Sequence, residues 1–301
     1  VGDRARQSEE RKNMPPRQTP TARQLRLGVE LRKLREQAGL TAREAGEMIS
    51  ANQARISNIE TGRFGLSEQR IRTLAHNYAC TDGALVDALV AMAAYRERGW
   101  WEEYRDTLPS RFLDVAEMEH HARALRMAQV INIPGLLQTP EHARTLFRQA
   151  VPALHPHEIE YRISHRIKRQ GILHREQPPQ YTAIIHEAAL RMRFGGRDVA
   201  RPQLEHLSRM SEQPHITLRV IPFDGTVFPT VGHGLDYAYG PVPALDTAQL
   251  DAAHGSELIH AAAQLTKYRL ILDHMEEAAL EPNASRDLIH QIAQENLKDE
   301  P

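Results

Sequence analysis

At 301 residues, 41% of them hydrophobic and 26% charged, the chain has room for two domains and the balance of an ordinary globular protein. No apolar run approaches the ~20 residues of a membrane-spanning helix, the polar N-terminus is not a secretory signal, and the one cysteine, Cys80, rules out a disulfide framework and fits the reducing cytoplasm. The net charge of −1 hides an asymmetry: residues 1–80 hold 15 Lys and Arg against 9 Asp and Glu, while the remainder holds 23 against 30, the division expected when one end of a protein faces phosphates.

Residues 1–22 are polar and basic, with Pro15, Pro16 and Pro20, and read as a disordered tail. Leu25 to Ala38 reads as a first helix with Leu27, Leu31 and Leu34 on its apolar face. Arg32, Lys33 and Arg35 are then assigned to the phosphate backbone of a nucleic acid, and Gly39 ends the helix.

Residues 41–62, TAREAGEMISANQARISNIETG, read as two short helices around a tight turn. Thr41 and Glu44 have the spacing of a capping box. Ala45, Met48 and Ile49 form one apolar face, and Gly46 keeps that helix thin where the second must come close. Asn52 caps the second helix, from about Gln53 to Glu60, with Ile56 and Ile59 inward and Gly62 as its stop. Gln53, Ala54, Arg55, Ser57 and Asn58 are left outward as base contacts, because Gln pairs bidentately with adenine and Arg with guanine. Arg32, Lys33, Arg35, Thr41, Asn52 and Arg63 are the expected backbone contacts, with Arg70 and Arg72 as further candidates. Ser67 then caps a helix carrying Ile71, Leu74 and Ala75. Thr81-Asp82 opens a fifth, through Leu85, Val86, Leu89 and Met92, which completes a domain over residues 23–95.

This pattern resembles the phage-repressor-like helix-turn-helix family of the Cro/C1 (XRE) type. The matching residues are Leu31-Arg32, Arg35, Gly39-Leu40-Thr41, Glu44, Ile49, Ile56-Ser57-Asn58-Ile59-Glu60 and Gly62. Ala42 stands where that family often carries a glutamine, which removes one expected phosphate contact.

The second domain is expected over residues 96–301. Tyr95 to Leu108 carries both tryptophans, Trp100 and Trp101, with Tyr104. Aromatics this dense in an aromatic-poor chain anchor the packing of domains or a dimer contact. Met118 to Val130 reads as a helix, Leu136-Leu137 as an apolar plug after a Pro134-Gly135 turn, and Thr139-Pro140 as a helix start. Glu158 to Leu173 is a long helix with Arg162, Arg166, Lys168 and Arg169 on its wetter side, which either meet acids of their own domain or offer a second DNA surface. Tyr181–His186, His215–Pro222 and His233–Tyr239 read as strands, with helices at 187–193 and 199–211 between the first two. Helices at 256–277 and, capped by Ser285, at 286–297 close the chain and offer a dimer contact. The fold expected is α+β, mainly helical: a five-helix helix-turn-helix domain followed by a mixed regulatory domain with a small sheet.

The strings GWWEEYRD, IPGLLQTPEHAR, RISHRIKRQGIL, IIHEAALRMRFGG and HITLRVIPFDG, in this order, make the part after Gly99 similar to the C-terminal DUF5753 domain of actinobacterial (Streptomyces-type) helix-turn-helix regulators. The resemblance implies a transcriptional regulator that binds double-stranded DNA, not an enzyme. It also implies a small acidic partner protein, in the manner of an antitoxin, as the alternative role of the second domain. A partner or small-molecule effector would be met by Trp100, Trp101, Pro134, Leu136 and Leu137: an exposed apolar surface favours a protein, a closed cavity a small molecule. A homodimer is expected. Sixteen histidines, grouped at His120-His121, His155/His157 and His254/His260 with Glu257, carry no HExxH or paired CxxC spacing, so no metal, cofactor or catalytic residue is assigned.

Overall fold

Thr21 opens the first helix by accepting from the Gln24 amide while the Gln24 side chain returns to the Thr21 amide, a full capping box. Helix α1 therefore spans Ala22–Gln37, three residues earlier than its leucine stripe suggests and inside the span assigned to a tail. The computed structural model describes residues 20–95, 98–225, 234–252 and 255–295; residues 1–19 of the expected tail lie outside them. The chain separates into two units, Val1–Glu97 and Arg98–Pro301.

Four helices follow in the first unit: α2 (Ala42–Glu47), α3 (Gln53–Glu60), α4 (Glu68–Asn77) and α5 (Gly83–Ala94). Each is capped by a side-chain oxygen, from Thr41, Asn52, Ser67 and Asp82 respectively. Leu31, Ile56, Ile71, Leu74 and Leu89 are fully buried and form the core. Met48, expected inward, is 49% exposed at the C-cap of α2.

The second unit contains α6 (Ser110–His121), α7 (Pro140–Arg148), α8 (Pro156–Gln170), α9 (Glu187–Arg191), α10 (Arg197–Met210), α11 (Ala262–Ala278) and α12 (Pro282–Glu295). Its strands are β1 (Ala124–Gln129), β2 (Gln180–His186), β3 (Ile216–Ile221), β4 (Leu235–Tyr239), β5 (Thr247–Ala252) and β6 (Gly255–Ile259). They form one sheet in the order β3-β2-β1-β4-β5-β6, parallel through β3, β2 and β1 and antiparallel beyond. Helices cover both faces. Leu125, Met127, Ala183, Ile185, Leu218 and Val220 pack with Leu204 and Leu207 of α10 and Ile289 and Ile292 of α12. Ala128, Ile184, Leu235, Tyr237 and Ala248 pack with Leu265, Leu272 and Met275 of α11.

The helix expected over 118–130 is the end of α6 followed by the central strand β1, and the helix expected over 256–277 is β6 followed by α11. Strand β5 carries no expected element at all. The central strand β1 packs on both faces and so loses the polar alternation that marks a strand in sequence. Ser285, expected as a cap, lies inside α12 and is fully buried. Its hydroxyl accepts from the Val220 amide at 2.9 Å and donates to the Leu280 carbonyl at 3.1 Å, while the Leu280 amide donates to the Val220 carbonyl at 2.8 Å. The turn between α11 and α12 thereby occupies the outer edge of β3. Expectations for Ile216, Leu218 and Val220 on one face, and for Leu235, Tyr237 and Tyr239 on another, agree with the packing.

Candidate nucleic-acid interface

The site is built on α3. Thr41 and Glu44 close their capping box: the Thr41 amide and hydroxyl donate to the Glu44 carboxylate at 2.7 and 2.6 Å, and the Glu44 amide donates back at 3.2 Å. These bonds hold the Glu44 carboxyl below its usual range. The chain then turns through Ser50 at φ +53°, a left-handed conformation costly for any residue but glycine. A Cβ at Gly46 would lie 2.7 Å from the Ala51 carbonyl oxygen, so only glycine lets the turn fold back against α2. Asn52 Oδ1 accepts from the Arg55 amide at 2.9 Å and starts α3.

Ile56 and Ile59 hold α3 to the core at 1% and 3% exposure. Its far end is fixed twice. Gly62 ends it at φ +68°, and a Cβ at Gly28 of α1 would meet the Glu60 carbonyl oxygen at 2.4 Å. The two helices touch backbone to backbone there. Arg35 of α1 adds a two-pronged bond to the Glu60 carboxylate, and its third nitrogen donates to the Leu40 carbonyl at 2.6 Å. A helix held beneath and at both ends presents its remaining side as a rigid surface.

That side carries the residues expected to read bases. Gln53, Ala54 and Ser57 are exposed and Arg55 and Asn58 half-buried, and with Asn52 the residues Gln53, Ala54, Ser57 and Asn58 line an open groove along α3. The Arg55 guanidinium carbon lies 3.5 Å from the centre of the Phe64 ring, so its planar head is oriented by stacking.

The expected backbone contacts divide. Arg63 is exposed beside the end of α3. Arg32 is also exposed, paired at 2.7 Å with the exposed Glu36, a pair weak enough for a phosphate to displace. Lys33 is half-buried and paired at 2.8 Å with the buried Glu30. Asn52 and Thr41 use their side-chain oxygens as caps. Arg35 is not a phosphate contact: it is 7% exposed and committed to Glu60. Arg72 is held by Glu68 and Asp87 at 3.0 and 2.8 Å, and Arg70 is half-buried.

Sequence reasoning missed Phe64, Gly28 and the Arg35–Glu60 pair. A signal existed for two of them. Gly28 interrupts a leucine-rich helix, which argues for close packing. Arg35 continues the row Leu27, Leu31 at four-residue spacing, and Glu60 continues from Ile56 in the same way.

The second unit does not supply the expected apolar surface. Trp101, Pro134, Leu136 and Leu137 are buried and Trp100 is half-buried. The tryptophans pack with Tyr104, Leu108, Leu113 and Ala116 of their own unit, with His165 and His120 against their rings. Arg166 and Arg169 turn inward rather than outward: Arg169 lies 2.7 Å from Glu119, and Arg166 donates to the Gln138 side chain. Lys168 pairs with Glu103, and Arg162 lies over the Phe112 ring. These contacts are the intradomain arrangement. Glu119 is buried, and burial pushes its carboxyl up despite Arg169. Cys80 is half-buried at the end of α4. His155 and His157 stack on each other, and His254 lies outside the described residues.

Residues 26–89 match the family described as a helix-turn-helix domain, which supports a DNA-binding regulator in general. Residues 112–291 match the family described as a domain of unknown function, DUF5753. No curated protein and no solved structure matches the chain. Among the described residues, no helix is long and apolar enough to cross a membrane.

Proposed function

Because the chain belongs to the DUF5753 family, with a helix-turn-helix domain ahead of it, we propose that it is a sequence-specific transcriptional regulator of the XRE type. It reads the major groove through α3 under the control of its second unit. The observation that carries this reading is the two-sidedness of α3. Ile56 and Ile59 are sealed into the core while Gln53, Ala54 and Ser57 face outward on a helix fixed at both ends. A helix presented in this way is the helix-turn-helix solution for the groove, and its outward side chains have the donors and acceptors that distinguish base pairs. The protein acts by binding rather than by catalysis, in the cytoplasm. It works as a homodimer on half-sites spaced about one helical turn, ~34 Å, or a multiple of it.

The alternative role, an antitoxin-like clamp on a small acidic protein, loses its main support, because Trp101, Leu136 and Leu137 serve the interior of the second unit. The test is selection of bound fragments from random duplex DNA by the full chain. A recurrent two-fold motif is expected. Recovery of unselected sequence, with affinity that depends only on salt, would overturn the reading.

A further inference from the structure

A cavity of about 340 Å³ opens in the second unit among α6, α8, the 132–138 loop and strands β1, β4 and β5, at the lower end of the size range of small-molecule sites. Its interior is polar yet buried. Gln129, Gln138, Asp236 and Gln249 line it and are each 4–8% exposed. Among the described residues, Asp236 Oδ1 and Gln249 Oε1 have no hydrogen-bond partner. Folded proteins leave few buried polar atoms in that condition, and two at one cavity call for an explanation.

The charges at the cavity do not cancel. Arg169 is matched by Glu119 at 2.7 Å. Arg166, one turn earlier on α8, bonds to the neutral Gln138 side chain, and no carboxylate among the described residues lies within ion-pair distance of it. Burial and the neighbouring Arg169 push the Arg166 guanidinium down to about 9. Burial and Asp251 push Asp236 well above the usual carboxylate range, so it is available as a neutral acid that can donate. Gly135 stands where a Cβ would lie 2.9 Å from Arg166 Nη1, so the loop backbone comes flush with the guanidinium. The Phe147 ring, 5.2 Å from the Arg166 guanidinium carbon, forms an apolar wall beside it.

We propose that this cavity is a binding site for a small organic carboxylate, its anionic group taken by the Arg166 fork, its polar part bonded to Asp236 and Gln249, and its apolar part laid against Phe147. Guanidinium and carboxylate match in geometry as a two-pronged pair. With Asp236 a neutral acid, Arg111, Arg166 and Arg169 at the cavity face only the carboxylates Glu119 and Asp251, so a single negative charge is what the site lacks; a phosphomonoester dianion would bring a second charge toward Asp251. Occupancy of the site is independent of DNA recognition. Only the role of the occupant as an effector rests on the regulator reading.

The experiment is calorimetric titration of the full chain, without DNA, with a panel of acylated amino-acid and aryl carboxylates led by N-acetyl-L-phenylalanine. The uncharged N-acetyl-L-phenylalaninamide and the dianionic phenyl phosphate are titrated alongside. A saturable carboxylate signal is expected, at least tenfold weaker for the amide and weaker for the phosphate. Arg166→Met abolishes it. Arg166→Lys, which keeps the charge and loses the fork, weakens it severalfold and serves if the Met variant does not fold. Silence across the panel, equal binding of the amide, preference for phenyl phosphate, or unchanged binding by the Arg166 variants would each overturn the proposal.

Discussion

Arg35 holds Glu60 by both edges of its guanidinium, Nε at 2.6 Å from one carboxylate oxygen and Nη2 at 3.0 Å from the other, across 25 positions of sequence. Both side chains are buried, at 9% and 8% exposure. The pair joins α1 to the end of α3, behind the outward side of that helix. Tyr78 lies within its field, and burial first, with Glu60 second, pushes that phenol up to about 12.

Arg35→Ala leaves the Glu60 carboxylate buried without its cation, a loss of about 3–5 kcal/mol. Both tryptophans of the chain, Trp100 and Trp101, belong to the second unit. Tryptophan fluorescence therefore follows that unit alone, while far-UV circular dichroism follows both. In thermal unfolding, Arg35→Ala should move part of the dichroism transition to lower temperature and leave the fluorescence transition in place. A fluorescence shift of equal size would contradict it.

On α3, Gln53→Ala and Arg55→Ala should each relax sequence preference by ~1–3 kcal/mol at one base position while sparing affinity for random duplex. Phe64→Ala should act in the same direction but more weakly, because it removes the surface that aligns the Arg55 guanidinium. Lys33→Ala should weaken all sequences alike and flatten the salt dependence. Competition binding at two salt concentrations separates these patterns. Equal losses on specific and random DNA for Arg55→Ala would remove it from base reading.

Stability of the second unit should fall on both sides of neutrality. Burial holds the His142 imidazole down to about 4 and, with Arg169 and Arg166, holds His165 down to about 3, against an ordinary value of 6.5. Each binds fewer protons folded than unfolded below pH 6.5. Their contribution is present above that pH and is lost as pH falls, by up to about 1.4 kcal/mol per pH unit for each. Asp236 has the opposite sign: its raised folded value makes stability present at low pH and lost as pH rises. Urea titrations followed by tryptophan fluorescence between pH 4.5 and 9 should show His165→Phe flattening the acid limb, and Asp236→Asn steepening that limb while removing the decline between pH 6.5 and about 8. Parallel curves for wild type and His165→Phe would count against the histidine assignment.

Ser285→Ala should cost about 1–3 kcal/mol, because it strips the buried Val220 amide of its acceptor. Amide hydrogen exchange would place the change at Val220 and along β3. Unaltered protection there would show that the hydroxyl contributes nothing.

The helix-turn-helix was legible because its signals are local. Thr41 with Glu44, Asn52 ahead of α3, and Gly62 behind it are each read within a few residues. Arg35 was misassigned because an arginine beside a DNA-reading helix looks like a phosphate contact, and only its place on the leucine row hints at Glu60. In the second unit, Ala122, Leu125 and Ala128 fall at helical spacing, yet β1 buries Leu125 and Met127 on one side and Ala128 on the other. Pairing between β1 and β4 joins residues more than a hundred positions apart, a relationship that no short window contains. Arg166 looked solvent-facing by charge, although it continues the row Ile159, Ile163 into the interior.

The β3 rim has a bearing on how two molecules could associate. With the Val220 amide and carbonyl both engaged by the 280–285 turn, an incoming strand finds no free ladder at that position. Strand addition at the β3 end of the sheet would first have to displace that turn.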